Sequence, residues 1–176
     1  MKASLAAGST TWNAGDFYGT PEYNSLHIVN RYFTKYPEDA SKVVLSIKSG
    51  LKNWQPDGSP ENIKDSIDYC MSILDGKKSI DIYEMARVDK KTPIEITMKA
   101  LNEHIKLGNI KGISLSEASG ATIREAAKYA KIVAVEAELS LWSTDILTNG
   151  VASTCAELDI PIIAYVFKSI STLRFI

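Results

Sequence analysis

Apolar residues along the chain are concentrated in six short runs. Each run has six or seven residues rich in Val, Ile and small side chains, the pattern of a strand that a parallel sheet buries on both faces. The runs are TTWNAG (10–15), VVLSIK (43–48), IDIYEMA (80–86), KGISLS (111–116), VAVEAEL (133–139) and IPIIAYV (160–166). The pattern therefore predicts six parallel strands.

Helical periodicity occupies the intervals between these runs. In the segment 92–108, Thr92 predicts an N-cap and Glu95 completes a capping box with it. Pro93 suits the first helical position, and Gly108 predicts the C-terminal end of the helix. The apolar stripe expected on this helix consists of Ile94, Met98, Leu101 and Ile105.

A second helix is predicted to begin at the sequence SPEN (59–62), and others across about 22–36, 120–130 and 144–157. The apolar side of the second helix is expected to carry Ile63, Ile67, Met71 and Leu74. Strands and helices alternate with a period of roughly thirty residues, the size of a βαβ unit. The chain is therefore predicted to be a single α/β domain.

Two α/β architectures fit this alternation. A (β/α)8 barrel typically needs about 250 residues and rarely has fewer than about 200. The chain has 176 residues, which favours an open doubly wound sheet. Such a sheet usually carries a Gly-rich phosphate turn after its first strand, and no G-x-G-x-x-G or G-x-x-x-x-G-K-[ST] motif occurs there. In both architectures the functional residues lie at the carboxyl ends of the strands.

Composition excludes several classes of function. Hydrophobic residues make up 45% of the chain and the formal net charge is -1, so no bulk positive field attracts a nucleic acid or an anionic membrane. The Lys-Lys pairs at 77–78 and 90–91 are interpreted as solvated loop charges. No apolar run reaches membrane-spanning length, and the start of the chain has no secretory h-region.

The cysteines and histidines argue against a disulfide framework and a metal site. Cys70 and Cys155 are too few for a disulfide framework and fall within helical patterns, where a buried thiol behaves as a small apolar side chain. His27 and His104 have no ligand spacing near them, so no metal site is expected. A cytoplasmic location is predicted.

Lys48 and Tyr18 are the residues at the strand ends that suggest chemistry. Lys48 ends an apolar strand, where it either extends to solvent or is held at the mouth of a barrel. Tyr18 follows the preceding strand, and a nearby ammonium favours the phenolate and makes a tyrosine a better general acid. Two alternatives remain: Tyr18 as a packed loop aromatic, and Lys48 as a Schiff-base lysine of a barrel lyase.

The strand-end motifs, taken in order, resemble those of the aldo-keto reductases. The motifs are NAGDFYG, LSIKSG, IDIYEMARVD, GISLSEAS, AVEAELSLWS and IPIIAY. The resemblance runs from about residue 5 to about residue 165 and is greatest to the fungal pyridoxal reductase-like branch. It implies a TIM barrel that uses NADPH to reduce the carbonyl group of a small aldehyde such as pyridoxal.

The resemblance also implies catalytic roles. Tyr18 takes the place of the tyrosine that protonates the carbonyl oxygen, and Lys48 that of the lysine that tunes this tyrosine. Asn13 stands where the family has an aspartate paired with the lysine, and is expected to accept a hydrogen bond from Lys48 without supplying a charge. Ala86 stands where the family has a histidine that orients the substrate.

Cofactor contacts follow from the same alignment of motifs. Ser116 and Glu117 fall where a Ser-Asn pair holds the nicotinamide carboxamide, and Glu136 where a glutamine does so. Tyr165 falls where an aromatic residue stacks on the nicotinamide ring.

Length is the other departure from the family. By the resemblance, the chain corresponds to an incomplete (β/α)8 barrel of about six strands that lacks the first and last strand-helix units, a truncated domain covering 1–176. Open sheet edges would favour self-association. The basic segment that holds the adenosine phosphate would be missing, so a catalytically silent barrel fragment or docking module stands as the alternative to an active reductase.

Overall fold

The computed structural model describes residues 1–166, in which one large parallel sheet alternates with helices. Its strands, labelled β1 to β6, are Thr11–Gly15, Val44–Ser49, Ile80–Met85, Ile110–Ser116, Ile132–Glu138 and Ile162–Tyr165. The α-helices, labelled α1 to α6, are Lys2–Ala6, Ser25–Lys35, Pro60–Leu74, Ile94–Lys106, Gly120–Ala127 and Val151–Glu157. The six predicted strands are confirmed.

Shorter elements complete the described part of the chain. Two 3-10 helices span Pro37–Lys42 and Asp145–Leu147. Two small hairpins follow β1 and β2, pairing Gly19–Thr20 with Tyr23–Asn24 and Leu51–Lys52 with Gln55–Pro56. Both hairpins lie at the carboxyl end of the sheet, beside the residues that form the candidate site.

Strand order separates the two architectures. Each strand pairs in parallel with the next one along the chain, so the order in space is β1 to β6 without any reversal. A doubly wound sheet reverses its order at a switch point, so the open-sheet alternative is wrong. The sheet is also strongly curved, because the side chain of Asn13 on β1 reaches Glu136 on β5. The described residues therefore form about half of a barrel wall.

The helices bury their apolar sides against the outer face of this curved sheet. On α3, Ile63, Ile67 and Leu74 are fully buried as predicted, but Met71 is 40% exposed. Cys70 occupies the buried position instead, because the spacing from Ile67 to Leu74 passes through residue 70 at i+3. The expectation for Met71 was wrong by one position.

The start of α4 also differs from the prediction. The Thr92 hydroxyl donates a hydrogen bond of 2.7 Å to Asp89 Oδ2 and therefore does not cap the helix. Pro93 occupies the N-cap position without a side-chain cap, and α4 begins at Ile94. Gly108 follows the helix with a φ of 77°, a left-handed conformation that glycine adopts without strain.

Lys78 is buried, so the interpretation of the pair at 77–78 as solvated charges is wrong for one member. Its ammonium pairs with Asp81 at 2.5 Å, and Lys111 pairs with the same carboxylate at 2.6 Å. Burial of an ammonium is tolerated here because the charge is paired. Cys70 and Cys155 are free and buried, as predicted.

Candidate active site

Lys48 is held between two carboxylates inside the carboxyl end of the half-barrel. It lies on β2, opposite Glu84 on β3 in the sheet register. Its ammonium forms an ion pair with Glu84 Oε1 at 3.1 Å and a hydrogen bond with Glu136 Oε1. Glu84 is fully buried and Lys48 and Glu136 nearly so, which makes this a desolvated three-charge cluster.

Asn13 links the two carboxylates of this cluster. Its Nδ2 donates to Glu136 Oε2 at 2.7 Å and to Glu84 Oε2 at 3.2 Å. The expected hydrogen bond from Lys48 to the Asn13 amide is therefore replaced by another arrangement, in which the amide is a donor to the partners of the lysine. The negative charge beside Lys48 comes from Glu84 and Glu136.

Burial and charge shift the pKa values of this cluster. Burial of Glu84, reinforced by the charge of Glu136, raises the pKa of Glu84 to about 7, and Lys48 only partly opposes the shift. Burial lowers the pKa of Lys48, but the contacts with Glu136 and Glu84 outweigh it and leave that pKa above its ordinary value. Lys48 is therefore charged at neutral pH.

Tyr18 and Lys48 line the same cavity, which has a volume of about 690 Å³. Tyr18 is 42% exposed, whereas Lys48 is nearly buried. The cavity is lined by Asn13, Phe17, Tyr18, Lys48, Leu51, Trp54, Pro56, Ala86, Arg87, Glu136, Ile163 and Tyr165. Five of the seven residues singled out from the sequence are thus brought together.

The turn that carries Tyr18 is fixed to the sheet by local contacts. Asp16 accepts a hydrogen bond of 2.5 Å from the Ser49 hydroxyl, and its backbone N–H donates to the carbonyl of Lys48. Burial raises the pKa of Asp16, although hydrogen bonds to its carboxylate from Ser49 and from the backbone N–H groups of Phe17 and Asp16 oppose the shift. A Cβ at Gly15 would lie 3.0 Å from the Tyr18 ring, so a glycine at this position lets the ring pack against the strand end.

Tyr165 faces the cavity at the end of β6. The Lys48 ammonium lies 5.4 Å from its ring centroid, and its hydroxyl donates a hydrogen bond of 2.5 Å to Glu117 Oε1. Burial and the contact with Glu117 raise the pKa of Tyr165 to about 12, so the hydroxyl stays protonated. The ring is therefore a fixed flat surface beside Lys48.

Ser116 and Glu117 do not line this cavity. Ser116 is fully buried and its hydroxyl accepts a hydrogen bond of 3.3 Å from Arg87, while Glu117 lines a neighbouring cavity. Of the four residues expected to contact the cofactor, only Glu136 and Tyr165 face the space that contains Tyr18.

The residues facing the cavity fit the nicotinamide end of a cofactor. The Tyr165 ring offers a flat surface for stacking, and the Glu136 carboxylate has acceptor capacity for an amide N–H beyond its contacts with Lys48 and Asn13. Within residues 1–166, no group of three or more His, Cys, Asp or Glu side chains is placed to hold a metal ion.

Glu84 is the residue whose role the sequence did not assign. It is a polar residue at a strand end, but its partnership with Lys48 depends on the register that places the two side by side. One Glu84 oxygen, Oε1, has no hydrogen-bond partner among the described residues and is held by the Lys48 ion pair alone. The sequence signal was an acid in an otherwise apolar strand.

A curved parallel sheet that alternates with helices and carries a cavity at the carboxyl ends of its strands is the wall of a (β/α) barrel. The chain belongs to the aldo/keto reductase family, whose model matches residues 1–169. This match confirms the resemblance drawn from the strand-end motifs.

Fungal relatives are similar to the chain in sequence, and the similar region covers about half of each relative's own length. The probable pyridoxal reductase 2 of Schizosaccharomyces pombe is 47% identical over 168 residues, covering 94% of the chain and 50% of that protein. The putative pyridoxal reductase of Saccharomyces cerevisiae is 42% identical over 165 residues, covering 88% of the chain and 47% of that protein. The chain thus spans about half the length of the curated relatives it matches.

Solved structures of the family share the fold. The glycerol dehydrogenase of Gluconobacter oxydans superposes with a TM-score of 0.82 at 22% identity, over 94% of the chain and 51% of that structure. A thermostable aldo-keto reductase solved with the inhibitor epalrestat gives a TM-score of 0.80 at 17% identity, over 98% of the chain and 62% of that structure. The incomplete barrel predicted from the sequence is thus confirmed as the fold of the described residues.

Proposed function

We propose that the site reduces small aldehydes, with pyridoxal as the expected substrate and NADPH as the hydride donor. The observation that carries the proposal is the shared cavity of Tyr18 and Lys48, a potential proton donor beside a buried cation. The sequence identity of 47% and 42% with two fungal proteins named as pyridoxal reductases supports a small aldehyde such as pyridoxal as the substrate.

Tyr18 would donate its proton to the carbonyl oxygen of the substrate. When bound, the reduced nicotinamide supplies the hydride that the carbonyl carbon accepts, so that one hydride and one proton convert the aldehyde to an alcohol. The Lys48 ammonium stabilises the negative charge left on the Tyr18 oxygen. Glu84 and Glu136 keep this ammonium charged in a buried position.

Tyr165 and Glu136 are the proposed contacts for the nicotinamide end of the cofactor. The ring of Tyr165 is held by its hydrogen bond to Glu117, and Glu136 is held by Lys48 and Asn13. The assignment of Ser116 and Glu117 to the nicotinamide carboxamide stays a prediction, because neither residue lines the cavity that contains Tyr18. A cytoplasmic location is part of the proposal because both cysteines are free. None of the described helices could span a membrane.

A second candidate is a catalytically silent barrel fragment or docking module. Two observations favour it. Ala86 stands where the family's histidine would orient the substrate, and Ser116 is buried away from the cavity that contains Tyr18.

Tyr18→Phe separates these functions. The proposal predicts that kcat with pyridoxal falls roughly 100-fold or more, the scale of general acid catalysis, while NADPH affinity measured by fluorescence changes little. Tyr23→Phe, an exposed tyrosine that does not line the cavity, is the matched control and should keep full activity.

Two outcomes would reject the reductase. Equal turnover by the Tyr18→Phe variant would exclude this residue as the proton donor. Cofactor binding by the unmodified chain without measurable turnover of any aldehyde would select the silent domain.

A further inference from the structure

A second cavity of about 710 Å³ adjoins the one that contains Tyr18. It is lined by Gln55, Pro56, Arg87, Val88, Asp89, Lys90, Lys91, Glu117, Ala118, Ser119 and Thr122. Pro56 and Arg87 belong to both cavities, so the two spaces meet at these residues. Among the residues that line this cavity, the sequence predicted a role only for Glu117, and Lys90 and Lys91 were interpreted as solvated charges.

Three cationic side chains surround the second cavity without ion-pair partners. Arg87, Lys90 and Lys91 are exposed and make no salt bridge among the residues described, whereas most exposed lysines elsewhere in this part of the chain are paired. Three unpaired cations at one cavity repel one another, and an anion placed between them relieves that repulsion.

The two acids at this cavity are already engaged. Asp89 accepts hydrogen bonds from the backbone N–H groups of Gly58 and Lys91 and from the Thr92 hydroxyl. Glu117 Oε1 accepts from the Tyr165 hydroxyl and from the N–H of Glu138. Three cations therefore face two acids whose oxygens are largely used by the protein's own donors.

Arg87 and α5 give the cavity a fixed positive side. Arg87 Nη1 donates to the carbonyl of Ala86 at 2.6 Å and to the Ser116 hydroxyl at 3.3 Å, which orients the guanidinium and leaves its other N–H groups for a ligand. Ser119, the N-cap residue of α5, and Thr122, in its first turn, also line the cavity. The positive end of a helix adds to the attraction for an anion.

We propose that this cavity is a phosphate subsite that takes the phosphate ester of a small aldehyde whose carbonyl group lies at Tyr18. Arg87 joins the two cavities and Lys90 and Lys91 complete the charge around the phosphate. The binding of phosphate stands on the second cavity alone, whereas the link to an aldehyde rests on the proposed reductase function.

Binding is tested with inorganic phosphate and the purified chain, following the backbone amide signals by NMR. The subsite predicts saturable shifts at residues 87–91 and 119–122, and chloride at matched ionic strength should not reproduce them. In a Lys90→Gln/Lys91→Gln variant the Kd for phosphate should rise about tenfold or more, because charge-assisted contacts are lost.

The control variant is Lys35→Gln/Lys131→Gln, which removes two exposed lysines that make no salt bridge among the described residues and do not line the cavity. It should bind phosphate with an unchanged Kd. Shifts that do not saturate, shifts produced equally by chloride, or equal weakening in both double variants would overturn the subsite.

The link to the reaction is tested by comparing glyceraldehyde 3-phosphate with glyceraldehyde. The unmodified chain should have the higher kcat/KM for the phosphorylated aldehyde, and the ratio should fall about tenfold in Lys90→Gln/Lys91→Gln and stay constant in the control. A ratio of one would overturn the link. Absence of turnover of both aldehydes would reject the reductase, while the phosphate titration would still decide the subsite.

Discussion

The amide nitrogen of Asn13 lies 2.7 Å from Glu136 Oε2, although three strands of the sheet separate the strands that carry these two residues. The contact crosses the interior of the half-barrel and brings an amide between the carboxylates that hold Lys48. By the resemblance, the family places an acid at the position of Asn13 and an amide at that of Glu136. The charge beside the lysine has therefore moved to other strands.

Restoring the acid at Asn13 should harm this arrangement. Asn13→Asp would place a third carboxylate against Glu84 and Glu136 in a buried site, and we expect it to lower the free energy of unfolding by roughly 3 kcal/mol at pH 8. The loss should be smaller at pH 5, because a carboxyl group in such a cluster can take up a proton. Urea unfolding at the two pH values measures both quantities.

Two further variants control this experiment. Asn13→Ala removes the two hydrogen bonds without adding charge, so its cost should change little with pH. Asn13→Asp combined with Glu84→Gln and Glu136→Gln leaves one carboxylate and two amides around Lys48. Because the carboxylates then no longer repel one another, this variant should recover much of the lost stability. Equal losses for Asn13→Asp at pH 5 and pH 8 would contradict the charge argument.

Glu84 should make stability decrease as the pH rises. Its pKa is raised from 4.5 to about 7, so between these values the native state keeps a proton that the unfolded chain has released. The free energy of unfolding should therefore fall across this interval, by roughly 3 kcal/mol from this residue. Above the upper value both states are ionised and the contribution no longer changes.

Glu84→Gln isolates this contribution. Residue 84 cannot ionise in this variant, so its unfolding free energy should lack the decline. Between pH 4.5 and pH 8 the variant should therefore become more stable relative to the unmodified chain. Glu138→Gln, which removes an exposed carboxylate at the end of β5, should leave the decline in place. Parallel profiles for the unmodified chain and Glu84→Gln would mean that Glu84 does not titrate in this range.

Lys48 should resist Schiff-base formation. Its pKa lies above the ordinary value and its ammonium is held by Glu84 and Glu136, so the neutral amine that attacks a carbonyl is scarce. After treatment with pyridoxal and borohydride, peptide mass spectrometry should find adducts on exposed lysines such as Lys64 and none on Lys48. Preferential labelling of Lys48 would instead support the barrel-lyase alternative.

Tyr165 should act on the cofactor through its ring rather than its hydroxyl. Tyr165→Phe loses the hydrogen bond to Glu117 but keeps the ring, so NADPH affinity should stay within about twofold of the unmodified chain. Tyr165→Ala removes the stacking surface and should weaken binding by roughly tenfold. Fluorescence titration compares the two, and equal weakening in both would argue against stacking.

The sequence predicted the strands well because buried parallel strands are continuous apolar runs bounded by polar ends. It failed at Thr92 because the nearby Asp89 competes for the hydroxyl that would have capped α4. It also misplaced Met71, where a four-residue step was chosen and the helix buries the residue three positions after Ile67. Local signals of this kind do not record which tertiary partner is available.

The site was predictable to the extent that its residues follow strand ends. Tyr18 and Lys48 share a cavity as the adjacent strands required, but the pairing of Lys48 with Glu84 and Glu136 needed the register and the curvature of the sheet. Ser116 also ends a strand, yet it is fully buried and does not line that cavity, which a strand-end motif alone cannot reveal.

Gly15 carries no chemistry, yet it sets the position of the phenol. A methyl group at this residue would come within 3.0 Å of the Tyr18 ring and push it from the strand end. In saturation mutagenesis of the chain, we therefore expect Gly15 to tolerate few side chains, as is expected of Tyr18 itself.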